Sequence, residues 1–552
     1  MKYLLIILFS LYVLSSGAEN RVVQKEDEKE VSIDEFIHKD TPKDAGFFHV
    51  YVQDGRYYLE VPDDKLERDI LVAVTIIKGT AQKERSTDAR FGYGGDSVYD
   101  RLIRFIKNQD RIEIVSPQVF YLGDTPALYD DYIKNVISPV MYSLEIKAKS
   151  ADSYLVDITD LFLSDCDLFS LKGAKVALKL GGYQQEQSYA LDVKAFPENI
   201  NFRSMRGYAV DGEVKDGGYT SSLWEVGASW FLLPEKPMRQ RMFDDRVGYF
   251  TFVLDGMTKR NDQMEKAAFA TRWRLEPKPE DMEKYLRGEL VEPVKPIVFY
   301  IDRATPEYLV PYFIKAVNAW QGAFEKAGFK NAIYGKLAPS PEEDPEYSEG
   351  DIRYPLVSYK ASPIPNAYGP MVFDPRSGEI ITSHIAIFHS VLDLLQRWYF
   401  VMCGAVDSRA REYPLSHEVM GELAATVLTH EVGHTLGLRH NFIGSTAYPV
   451  DSLRSKAFIR EHGLGTSIMD YQRFNYLAQP EDGLEPQDLL PRIGIYDEFA
   501  IEWGYRCFQE TNNLVESGRT RRCFISWKRI IVIPEYNLKI VGMTSSRRIA
   551  WE

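Results

Sequence analysis

"LTHEVGHTLGLRHNF", residues 428–442, holds three of the nine histidines of the chain, and its spacing decides how the C-terminal half is read. It closes a helical pattern that begins near Ser416 and runs through "HEVMGELAATVLTHEVGHTLG". Residues four apart on a helix differ by only about 40° in direction. His430 and His434 therefore face the same way one turn apart, and two imidazole nitrogens can reach one ion. Glu431 lies about 100° further round, near such an ion without ligating it, where a carboxylate is placed to take a proton from a water molecule. Gly437 can adopt the positive φ that ends a helix. The chain can then turn back and bring His440 to the same ion as a third ligand. Three neutral imidazoles with one open position are the donor set of a catalytic zinc site, because structural zinc usually fills all four positions with protein ligands.

Upstream, the pattern is strand, helix, strands, helix. The apolar strand "IVFYI" is followed by a helix start at Asp302–Pro306 and an amphipathic helix through "YLVPYFIKAVNAWQGAFEKAGF" that ends at a glycine. Strands "DIRYPLVSYK" and "GEIITSHIAIF" come next, then a helix from about Ser390 to Met402. His417 precedes His430 by 13 residues on the same helix, about 220° round, so it faces away from the ion as a surface or cap residue. His384 and His389 close an apolar strand and read as structural histidines. If residues 379–388 form the edge strand of a cleft, His384 instead touches substrate, and an extended peptide adds to that edge by strand pairing.

Before this half lies a Pro- and Glu-rich connector, Arg274 to Pro296, and before that a region of period-two alternation. "GFFHVYVQDGRYYLEVP" carries an Asp54-Gly55 hairpin turn. Further strands are read at "DRLIRFIKNQDRIEIVS", "MYSLEIKAKSADSYLVDIT", "YALDVKAFPENI" and "RVGYFTFVL". Residues 46–285 are thus expected to be mostly β and rich in Tyr and Phe, with no motif of catalytic quality.

"HEVGHTLGLRH" fits HExxHxxGxxH, the zinc motif of the metzincin metallopeptidases. "SIMDY", Ser467 to Tyr471, resembles the methionine-containing turn of that clan, its methionine 29 residues after His440. The resemblance implies a twisted mixed sheet with an active-site helix, and one zinc ion held by His430, His434 and His440. It also implies Glu431 as general base, Met469 as the floor beneath the imidazoles, and Tyr471 on the oxyanion side. Asp470 and Asn441, beside motif residues, are candidates for orienting the ligands. From about residue 41 to 505 the chain is similar to large secreted bacterial zinc-dependent metalloproteases whose catalytic domain follows domains of unknown function. The phrases "GFFHVYVQDGRYYLEVPDDKLERDILVAVTII", "TRWRLEPKPEDMEKYLRGELVEPVKPIVFYID" and "PRIGIYDEFAIEWGYR" carry that likeness. The family leaves the substrate unstated beyond protein or peptide.

Composition sets the outer limits. In 552 residues, 45% hydrophobic and 26% charged, there is material for two to four domains with real cores. The net charge of −14 argues against a surface built for nucleic acid or anionic lipid. Residues 1–18 have the layout of a secretory signal peptide cleaved after Ala18, which implies export to a periplasmic, cell-surface or extracellular location. No later segment is apolar for long enough to span a membrane as a helix. Residues 19–45 read as a charged linker or pro-like segment, 291–510 as the metzincin-like domain, and 511–552 as an atypical tail, either truncated or a divergent terminal module, in which Lys and Arg outnumber Asp and Glu. Cys166, Cys403, Cys507 and Cys523 are scattered and expected to be structural; a latency thiolate at Cys166 is the alternative. The expected fold class is α+β, and the expected function is that of an exported zinc endopeptidase. The competing reading is a latent or inactive zinc domain serving an extracellular binding module in the β-rich region.

Overall fold

The computed structural model describes residues 31–80, 92–121, 134–210, 220–256 and 265–507. Residues 1–18, expected to be a signal peptide, the first part of the expected charged linker and the expected atypical tail with Cys523 lie outside these residues. The fold is α+β, with a β-rich N-terminal part and a mixed α/β C-terminal part.

The N-terminal part is one antiparallel sheet of eleven strands. In spatial order these are Lys43–Asp44, His49–Gln53, Arg56–Pro62, Ser153–Asp157, Val140–Lys149, Arg111–Val115, Ser97–Asn108, Ile70–Lys78, Ser221–Leu232, Asn199–Val210 and Leu180–Ala195. Asp54 and Gly55 take φ of 51° and 73°, the left-handed values that a two-residue turn needs to match strand twist. The sheet curls until its ends touch: the Phe47 N–H donates to the Phe196 carbonyl at 3.1 Å, and the Asp44 carboxylate accepts from the Ala195 N–H at 2.8 Å. Inside lies an aromatic core that includes Phe105, Phe162, Phe169, Phe202, Trp224 and Trp230. Cys166 is buried in that core, so it is not a zinc-blocking thiolate. At the end of the charged stretch, Ile33, Phe36 and Ile37 fall at helical spacing. The turn Ile33–Phe36, capped by Ser32, packs them onto Tyr51 and Tyr58.

The C-terminal part is built on a sheet in the order Ile333–Leu337, Ile297–Ile301, Leu356–Lys360, Glu379–Phe388, Ala367–Tyr368. The first four strands run parallel and the last is antiparallel. Met371–Asp374 continues the antiparallel pairing along Glu379–Phe388. The expected edge strand 379–388 is therefore an interior strand, because residues 367–374 fold back and cover its outer side. His384 goes with it, half-buried, its Nε2 2.8 Å from the Ser358 hydroxyl and its ring against Gly95 of the N-terminal part, away from the histidine cluster. The one long helix expected from 308 to 329 is two, Val310–Asn318 and Gln321–Lys326; between them the buried Trp320 indole donates to the Thr429 carbonyl at 3.0 Å.

Helices cover one face of this sheet and the N-terminal region covers the other. Ile385 and Ile387 point into the helical core, whereas Ala386 and Phe388 meet Tyr93 of the N-terminal part. The run "ILVAVTIIK" shows why its strand carries no polar alternation. Ile70, Val72, Val74 and Ile76 face the aromatic core, while Leu71 and Ala73 pack on Ile352 and Val372 across the junction, so both faces are dry. Arg376 bridges the same junction, bonding Asp374 at 2.8 Å and Asp69 at 3.0 Å. Val247 and Tyr249, and again Ala270, Trp273 and Leu275, belong to the C-terminal core and are buried there. Among the described residues no helix is long and apolar enough to cross a membrane.

Candidate metal centre

The helix His417–Thr435 starts at Ser416, whose hydroxyl accepts from the Val419 N–H at 3.3 Å. It runs through the middle of the C-terminal core, with Val419, Leu423, Leu428 and Val432 buried against neighbouring elements. His417 sits exposed at its start, stacked on the Tyr308 ring at 4.0 Å and remote from the cluster, as its angular position predicts. His389 bonds the Tyr359 hydroxyl at 2.7 Å and takes no part in the cluster.

At its other end the helix closes in a Schellman turn: the Leu438 N–H donates to the Gly433 carbonyl and the Gly437 N–H to the His434 carbonyl. Gly437 has φ of 96°, and a Cβ there would stand 2.3 Å from the Thr271 carbonyl oxygen, so only glycine suits the turn. The last carbonyls of the helix find donors from three distant segments. The Trp273 indole donates to Thr435 O at 2.8 Å, the Tyr505 hydroxyl to Leu436 O at 2.8 Å, and the Phe250 N–H to Gly437 O at 2.7 Å. The Arg439 N–H in turn donates to the Gly248 carbonyl at 2.8 Å. None of these partners was visible in the motif, since nothing in their local sequence marks them as neighbours of a histidine.

This turn brings His440 back onto the helix. His430, His434 and His440 each offer a ring nitrogen, and these atoms lie within 4.8 Å of one another. Two backbone carbonyls set the tautomers. His430 Nδ1 is 2.7 Å from Ile468 O and His434 Nδ1 is 2.8 Å from Leu438 O. A carbonyl only accepts, so each Nδ1 carries the proton and each Nε2 carries the lone pair. The orienting bonds of these two imidazoles thus come from the backbone and not from the Asp470 and Asn441 side chains. Asp470 accepts from the Ser445 N–H at 2.5 Å, and Asn441 donates its backbone N–H to Met469 O at 2.9 Å.

The donors fit a tetrahedral ion. His434 Nε2 and His440 Nε2 are 3.1 Å apart, close to the separation of about 3.3 Å for two nitrogens held at zinc–nitrogen distances. His430 Nε2 is buried without a hydrogen-bond partner among the described residues, and a polar atom in that state costs free energy unless a ligand satisfies it. Burial holds the His430 and His434 rings neutral, pushing their pKa values down. His440 is open to solvent on one side, yet partial burial and the facing His434 push it down to about 4.

Glu431 is buried beside the ligands, and burial pushes its pKa up to about 8, against the pull of the Arg473 charge. Met469 is fully buried under the helix, its sulfur against Gly433, where a Cβ would stand 2.3 Å from Sδ. The turn that carries it hangs on Asp497, which accepts from the Ser467 hydroxyl at 2.6 Å and the Ile468 N–H at 2.7 Å. Tyr471 is brought to the cluster, its ring 4.4 Å from that of His440 and 5.5 Å from that of His430. Phe442 lies against the other partner of this stack, 5.1 Å from His440. Two residues past Tyr471 is Arg473, which motif reasoning did not single out.

A helix bearing two imidazoles, a third beyond a glycine turn, and a methionine floor make the C-terminal part a metzincin-type metal domain. Residues 412–528 match the family model described as Met-zincin. Residues 95–278 and 30–79 match two further models, each described only as a domain of unknown function (DUF5117 and DUF5118). No curated protein and no solved structure matches the chain significantly.

Proposed function

We propose that this chain is a zinc-dependent endopeptidase acting after export from the cytoplasm. The observation that carries the reading is the convergence of three imidazole nitrogens, two of them on rings whose tautomers are preset for a metal, with the Glu431 carboxyl beside that pair on the same helix. Zinc, when held by His430, His434 and His440, supplies Lewis acidity that polarises a substrate carbonyl and acidifies water.

Glu431 takes the proton from the attacking water and hands it to the leaving amine nitrogen, so a single carboxyl serves as base and then acid. Its buried setting suits the task, since a carboxyl with a raised pKa holds a proton near neutrality long enough to deliver it. The Tyr471 hydroxyl is assigned to the oxyanion that develops on the scissile carbonyl. An extended peptide fits alongside Ala367–Tyr368, the last strand of the sheet. The next residue, Gly369, lies close enough to the site helix that a Cβ would stand 2.8 Å from the Thr435 side chain.

The test is cleavage of a diverse quenched-peptide library by the parent and by Glu431→Gln, with bound zinc measured in both. Cleavage by the parent alone at equal zinc content is the expected result. Equal cleavage by the variant would sink the mechanism, and zinc loss without the three histidines' involvement would sink the site.

A further inference from the structure

Three half-buried arginines of the C-terminal part share one arrangement, which Arg473 lacks. Arg353, Arg376 and Arg409 each bond an aspartate two residues earlier in the chain, Asp351, Asp374 and Asp407, at 2.8 to 3.0 Å. At the corresponding place before Arg473 stands Tyr471, an aromatic. Its guanidinium carbon sits 4.5 Å from the Tyr471 ring centre and 4.2 Å from that of Trp398. Among the described residues no carboxylate or carbonyl pairs with it, and its nitrogens are not sealed from solvent.

The carboxylates nearest in effect, Asp470 and Glu431, act on this cation through space without bonding it, so its N–H donors are left to a ligand or to water. The backbone carries a cost, with φ of 59° at a residue that is not glycine, the kind of local strain that persists at ligand sites. The two rings hold the guanidinium by its carbon at these short distances, and its planar fork of N–H donors matches a carboxylate in a two-bond contact. Only the Tyr471 ring separates it from the His430 and His440 imidazoles.

Resting on the peptidase reading for its substrate class, we propose that Arg473 is a specificity residue that receives a carboxylate of the bound peptide near the scissile bond. The carboxylate is either an acidic side chain or the free C-terminus of a short substrate. Both present the same chemistry to the guanidinium.

The test uses the full-length, zinc-loaded protein carrying Glu431→Gln, so that peptides bind without turnover, with calorimetric affinities for three matched sets. One set has an internal Glu and an amidated end, one has a free C-terminus and no acidic side chain, and one has Gln and an amidated end. One of the first two sets binds at least about tenfold tighter than the third, and which of them does so identifies the source of the carboxylate. Adding Arg473→Gln collapses that ratio towards one, and Arg473→Lys, which keeps the charge without the planar fork, retains part of it. A parent with no acid preference overturns the proposal, as does a preference indifferent to both substitutions. The parent's own ratio keeps the proposal falsifiable even where a melting curve shows Arg473→Gln unfolded. Arg473-dependent acid preference in a protein that cleaves no peptide would leave this inference standing and remove the peptidase reading. Cleavage whose preference ignores Arg473 would do the reverse, and absence of all peptide binding would overturn both.

Discussion

The first two metal ligands and the third are held by different means. His430 and His434 need only one helix, whose 3.6-residue repeat aligns them whatever surrounds it. His440 lies beyond the end of that helix, on a turn tied down by the Gly248 carbonyl, the Phe250 N–H, the Trp273 indole and the Tyr505 hydroxyl. A ligand pair can thus be local while the complete site is not. The carbonyls at a helix end are orphans unless something donates to them, and here their satisfaction also sets the path that returns His440 to the ion.

Several changes would break or sharpen that contrast. The largest effect is expected from a chain begun at residue 291, which keeps all three histidines, Glu431, the Met469 turn and the central sheet. Without Tyr249 and Trp273 from the buried core it should show no cooperative melting and hold no stoichiometric zinc. Zinc retention by that fragment would show that the turn needs no help from the segment at 248–273.

Gly437→Val comes next. It places a branched side chain at φ of 96° and within 2.3 Å of the Thr271 carbonyl, so a loss of about 3 kcal/mol or more is expected in chemical denaturation. Zinc affinity should fall with it even though the helix pair is untouched.

Trp273→Phe removes one donor and leaves the Thr435 carbonyl buried and unpaired, at a cost of about 1–3 kcal/mol. Weaker zinc binding, read by competition with a chelating dye, should accompany the lower melting temperature. Tyr505→Phe takes the hydroxyl from Leu436 O and from the Trp273 N–H that donates to it, and should cost a similar ~1–3 kcal/mol. If either variant lost stability while zinc affinity stayed at the parental value, the cap would be a stabiliser of the fold and not a positioning device for His440.

Much of the site was legible in sequence because its rules are local. Four-residue spacing put His430 and His434 together, and the turn-forming property of glycine at Gly437 announced the return to His440. The same holds for the Asp54-Gly55 hairpin, whose turn chemistry lies in the two residues themselves. The edge strand was misread for the opposite reason. Alternation identifies "GEIITSHIAIF" as a strand but says nothing of its neighbours, and residues 367–374 occupy the side that was expected to be open. Packing of His384 against the N-terminal region follows from that docking, which no periodicity encodes. Arg473 was missed because an arginine gains meaning from what fails to pair with it, and pairing is a property of the folded chain.

By itself, then, the amino-acid sequence determined the class of metal site, the direction in which two of its ligands point, the glycine that ends their helix and the β character of the N-terminal region. Each of these rests on spacing along one chain segment, where covalent geometry sets distance. Only the tertiary structure decided that Val247, Tyr249, Trp273 and Leu275 pack with the metal domain, that backbone carbonyls of Ile468 and Leu438 preset the tautomers of His430 and His434, and that Arg473 stands between two rings with no hydrogen-bonded partner among the described residues. The Leu438 and Tyr471 contacts are short in sequence, but the Ile468 and Trp398 contacts and the docking of the segment before the metal domain join residues tens to hundreds of positions apart, brought together by burying apolar surface from both sides of a sheet, and no local rule states which of many buried surfaces will meet.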